Sequence, residues 1–108
     1  TPPIIVIQAD EGPYPRRASE ADLASLKFDW RGEATNSEWR QKMGILNALY
    51  LPGGGSKNIH QRMTPVNTFR IIFNTYFGTD YDILPDRSFA YSDIEHVYDF
   101  YEITNRLK

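Results

Sequence analysis

A chain of 108 residues can hold one domain with a modest core but not two. Charged residues make up 24% and the formal charge is −2, so nothing in the electrostatics argues for nucleic acid or an anionic membrane as partner. With no cysteine, disulfides, thiolate zinc sites and cysteine nucleophiles are excluded, and no run nears the roughly 18 apolar residues of a membrane span, so no direct membrane insertion by this segment is expected.

Residues 2–12 read Pro-Pro-Ile-Ile-Val-Ile-Gln-Ala-Asp-Glu-Gly. An unbroken apolar run between prolines and Gly-Pro fits a strand buried on both faces of an α/β sheet. Ligands in open α/β sheets gather at the carboxyl ends of strands, which makes Asp10 and Glu11 the first candidate site. Because the chain opens without Met directly before a core-like strand, it reads as a piece of something longer.

Gly12-Pro13-Tyr14-Pro15 cannot continue the strand. Arg16 and Arg17 follow it closely, and guanidinium groups there could bind an anionic substrate by bidentate hydrogen bonds. Ser19 with Asp22 predicts a short helix over residues 20–26. Residues 28–36 are polar and irregular, with Phe28 and Trp30 tucked against the core. Thr35 with Glu38 is a second capping pattern, leading a helical turn through Trp39 and Lys42.

Residues 45–51 (Ile-Leu-Asn-Ala-Leu-Tyr-Leu) predict a second buried strand, ended by Pro52. Gly53-Gly54-Gly55-Ser56 opens a solvent-facing loop to about Arg62; it lacks the Lys-Ser/Thr and following helix of a phosphate loop. The best-defined element is a helix from Thr64 to Gly78, with Pro65 at its first position and Val66, Phe69, Ile72, Phe73 and Tyr76 forming its core face. Residues 88–91 suit a short strand. Residues 92–104 match both a helical face and a strand, and their β-branched and aromatic content favours a strand over 97–103. His60 and His96 are not spaced as a ligand pair and read as solvated.

Taken in order, these segments resemble the C-terminal part of a sulfatase-like domain of the alkaline phosphatase superfamily. The matching pieces are residues 4–12, 45–53 and 63–78, the last carrying Thr64-Pro65-Val66-Asn67-Thr68-Phe69 and closing in Tyr76-Phe77-Gly78. The family's strand ends in a metal-ligating Asp-His-Gly. Asp10 matches the aspartate, and Glu11 stands where the histidine would be. The resemblance implies a divalent ion there (Mn²⁺, Mg²⁺, Ca²⁺ or Zn²⁺), and a carboxylate in place of imidazole shifts preference toward the harder ions. Lys42 lies where the family carries a functional basic residue. The family's nucleophile lies far upstream, so no catalytic residue is assigned here.

The resulting expectation is an α/β fold: a small, mostly parallel sheet with one long packed helix, a fragment of a larger alkaline-phosphatase-like domain. Residues 1–108 would form one domain or the C-terminal subdomain of that larger unit. The function implied is the inert C-terminal part of a metal-dependent phosphate or sulfate ester hydrolase or transferase. Its parent would be membrane-anchored, on the extracytoplasmic face of a bacterial membrane. Partners are the remainder of the parent chain and, for the isolated chain, further copies of itself. The competing readings are a binding module that kept the fold and lost the chemistry, and an independent α/β domain without hydrolase ancestry.

Overall fold

The computed structural model describes residues 1–16 and 28–108. These group into two compact units, Thr1–Ile7 with Asn47–Arg87 and Gln8–Leu46 with Ser88–Lys108. Arg17 and the helix predicted over 20–26 lie outside the described residues.

In the first unit, strand β1 (Ile5–Gln8) pairs with β2 (Asn47–Tyr50), and the pairing is antiparallel. This corrects the expected mostly parallel sheet. Both apolar runs do form strands, but each strand exposes one face instead of burying both, and periodicity carries no information about strand direction. The described sheets are two separate antiparallel pairs. The predicted long helix is also shorter: a 3₁₀ turn, Pro65–Asn67, leads into α-helix Thr68–Tyr76, with Gly78 beyond it at φ 67°. Pro65 sits in the first turn and the glycine past the end, as predicted.

The buried face of this helical stretch overlaps the expected one only in part: Ile72 is buried and Tyr76 packs on the core as expected, but Val66, Phe69 and Phe73 are exposed and Ile71 takes their place. Thr68 is also buried. The core of the unit is Leu51, Met63, Ile71 and Ile72, with Ile4, Val6, Leu49, Ile59 and Tyr76 packed around it. Gly55 lets this core close. A Cβ there would lie 2.0 Å from the Tyr76 hydroxyl, which donates to the Pro52 carbonyl at 2.7 Å. The loop expected over 53–62 contains a 3₁₀ turn, Gly55–Asn58.

In the second unit, Asp29 caps a short helix, α1 (Trp30–Glu33), by accepting from the Arg31 and Gly32 amides. Helix α2 (Asn36–Met43) starts at the predicted capping box: the Glu38 amide donates to Thr35 Oγ1, and Glu38 accepts from the Thr35 amide. For the remaining elements we number the Thr68–Tyr76 helix α3, and the hairpin strands β3 (Phe89–Tyr91) and β4 (Phe100–Glu102). β3 and β4 pair antiparallel, Ala90 opposite Tyr101. The strand expected over 97–103 thus shortens to three residues. Ala34, Trp39 and Ile103 form this unit's core, and Phe28 and Trp30 pack against it as expected.

Candidate functional site

In the loop after β1, within the second unit, Gly12 brings the chain against the C-terminal turn of α2. Its amide donates to the Lys42 carbonyl at 2.8 Å, and a Cβ would lie 2.4 Å from the Gln41 carbonyl oxygen. Only glycine permits that approach. It sets Glu11 beside Lys42, whose ammonium donates to Glu11 Oε2. The same ammonium lies 3.5 Å from the Tyr14 ring centroid and 5.9 Å from that of Trp30. Burial pulls the Lys42 pKa down, but hydrogen bonds and charge attraction from Glu11 and Tyr14 outweigh it and hold the ammonium above the ordinary lysine range.

Asp10 is exposed, and its Oδ1 accepts from the Glu11 amide at 3.0 Å. The expected metal pair is therefore adjacent, with one carboxylate engaged by a cation of the chain itself. Among the described residues no group of three or more His, Cys, Asp or Glu is arranged to hold a metal. Asp10 and Glu11 offer two carboxylates, and a divalent ion held there would take its remaining ligands from water or from groups outside the described residues. Arg16 is described and exposed. Arg17 lies outside the described residues, so the anion-binding pair expected there is not assembled from described groups.

A second polar cluster lies in the first unit. Asp86 Oδ1 accepts from the Thr64 amide at 2.7 Å, the Thr64 hydroxyl at 2.9 Å and Asn67 Nδ2 at 3.2 Å; Oδ2 lies 3.0 Å from His60 Nε2. Burial pushes this carboxyl up, but those hydrogen bonds and the His60 ring hold it below the usual aspartate value. Asn67 and Asn74 then tie residues 81–84 to α3. Asn67 donates to the Leu84 carbonyl at 2.8 Å and accepts from its amide at 2.9 Å. Asn74 does the same for Tyr81, at 2.8 Å and 2.7 Å, and Arg70 donates to the Asp82 carbonyl at 3.0 Å. Each asparagine imitates the paired donor and acceptor of a neighbouring strand.

A cavity of about 330 Å³ beside this cluster is lined by His60, Met63, Asn67, Ile71, Asn74 and Ile83, among others. The side-chain amides of Asn67 and Asn74 are engaged by residues 81–84 (the strap), by Asp86 and by the Thr79 hydroxyl, which gives them an architectural task. His60 is largely exposed, as expected, yet held by a carboxylate 26 positions away that sequence spacing does not reveal. His96 is exposed and paired with Asp93 at 2.7 Å, within its own turn.

No helix among the described residues is long and apolar enough to cross a membrane. Comparison of the chain with protein-family models, with curated proteins and with solved structures finds no match in any of the three.

Proposed function

We propose that this chain is a non-catalytic portion of a larger sulfatase-like, metal-dependent phosphate or sulfate ester hydrolase or transferase, inert alone and shaped to be packed against the rest of its parent. The observation that carries the reading is β1. Ile4 and Val6 pack on the core, while Ile5 and Ile7, on the other face, are 43% and 55% exposed. Tyr50 on the partner strand is 52% exposed. A strand apolar on both faces has the composition of one covered by a layer on each side. Here one layer comes from residues 1–108, and the reading assigns the other to the remainder of the parent. The class of the parent rests on the order of the segments ending in Asp10-Glu11-Gly12, Pro52-Gly53 and Tyr76-Phe77-Gly78.

A second reading, an interaction module without chemistry, draws its support from Glu11, whose carboxylate is bonded to Lys42. The assay that separates the two is hydrolysis of nitrophenyl phosphate and nitrophenyl sulfate with added Mn²⁺, run on residues 1–108 and on the polypeptide extended upstream. The leading reading expects no turnover by residues 1–108, and turnover by the longer protein that falls in Asp10→Asn. Turnover by residues 1–108 alone would refute inertness. A longer protein that neither binds metal nor hydrolyses either ester would leave the interaction module.

A further inference from the structure

The second unit holds an ammonium group in a setting more specific than an ordinary surface ion pair. The Tyr14 and Trp30 rings stand 6.0 Å apart at 70°, forming a corner, and the Glu11 carboxylate faces it. The Lys42 ammonium occupies the corner, nearer the Tyr14 face. Aromatic faces attract cations through their quadrupoles, and a carboxylate adds charge and a hydrogen-bond acceptor. Rings plus a carboxylate are the elements from which recognition sites for organic ammonium ions are built.

The walls come from three places held in register. Gly12 pins the loop that carries Glu11 to the last turn of α2, which fixes Glu11 against Lys42. Trp30 is anchored through Phe28 and Trp39, at 5.0 Å to each ring, and it in turn supports Tyr14. The two ring walls therefore do not depend on the lysine for their position, whereas the Glu11 carboxylate is held at the corner by its backbone and by the ion pair. The Lys42 side chain is only 14% exposed, whereas Glu11 is 50% exposed, so the lysine lies inside and the acidic wall is open to solvent.

We infer that Glu11, Tyr14 and Trp30 form a binding site for alkylammonium groups, with Lys42 as its resident occupant. An alkylammonium ion from outside takes the position once the lysine is withdrawn. The specificity follows from the walls: the rings favour a cation bearing alkyl groups over the strongly hydrated Na⁺, and the carboxylate favours one that still carries N–H.

The test is nuclear magnetic resonance of the Trp30 indole and Tyr14 ring signals during titration with n-propylammonium chloride. Matched titrations use sodium chloride and n-propanol. Lys42→Ala should show saturable shifts with n-propylammonium alone, half-saturating in the millimolar range. Wild type should respond about tenfold more weakly, because its own ammonium competes. Adding Glu11→Gln to Lys42→Ala should abolish saturation. Equal responses in all three proteins, or shifts reproduced by sodium chloride, would overturn the site. Should Lys42→Ala fail to fold, the wild-type Lys42 ε-methylene protons decide. The site requires them to be shifted upfield by the Tyr14 ring, and an unshifted lysine spectrum overturns it.

Discussion

Replacing Asn67 by alanine should be among the most damaging single changes in the first unit. Asn67 is 1% exposed and makes three hydrogen bonds: to the Leu84 carbonyl, from the Leu84 amide, and to Asp86 Oδ1. Each bond contributes about 1 kcal/mol net, and the one to the ionised Asp86 about 1.5. The half-buried Leu84 backbone can recover only part of this from water, so the loss comes to about 3 kcal/mol. With a urea dependence of about 1.5 kcal/mol per molar, the unfolding midpoint should fall by about 2 M. Hydrogen exchange gives the local readout, with the Leu84 amide losing its protection. The comparison is Asn74→Ala, whose strap partner Tyr81 is exposed. Water can replace those bonds, and the cost should be about 1 kcal/mol. A loss below about 0.5 kcal/mol for Asn67→Ala, the level of an ordinary surface change, would refute the clamp.

Three further outcomes follow from other contacts. Asp86 has a folded-state pKa below its ordinary 3.8, so its contribution is present above that value and lost as pH falls through the lower folded pKa; in acid titrations of stability, Asp86→Asn should flatten that limb. Thr35→Ala removes the capping box of α2 and should cost about 1 kcal/mol by thermal unfolding. Gly55→Ala meets the Tyr76 hydroxyl, so pairing it with Tyr76→Phe should cost less than the sum of the two single changes. Strict additivity in that double-mutant cycle would contradict the contact.

The parts of this fold legible in the sequence are those governed by near neighbours. Thr35 and Glu38 are three residues apart, and their reciprocal bonds form as their types demand. Pro65 and Gly78 likewise bracket the helical stretch that includes α3. What failed was set by distant partners. Residues 4–7 and 45–51 are apolar enough for strands, but nothing in either run says which way the other lies. On α3 the sequence pattern picks out Ile72 and Tyr76 but not Ile71, because both faces of the helix are apolar: Phe69 and Phe73 match Ile71 in hydrophobicity, and only the packing of Leu51 and Met63 decides between them. The polar residues Asn67 and Thr68 end up more buried than the phenylalanines because the strap and Asp86 satisfy Asn67. In the candidate site, Asp10 and Glu11 were legible as a strand-end pair. The engagement of Glu11 by Lys42, 31 positions away, depends on the close approach at Gly12.

On the proposed reading, the outer face of β1 and β2 is covered by the rest of the parent chain. Light scattering of residues 1–108 across a wide concentration range tests it most directly, because an apolar face left open should drive copies together. The mass should rise above 12.5 kDa with concentration and return to that value in Ile5→Thr/Ile7→Lys. A monomer at every concentration, unchanged by that double substitution, would contradict it.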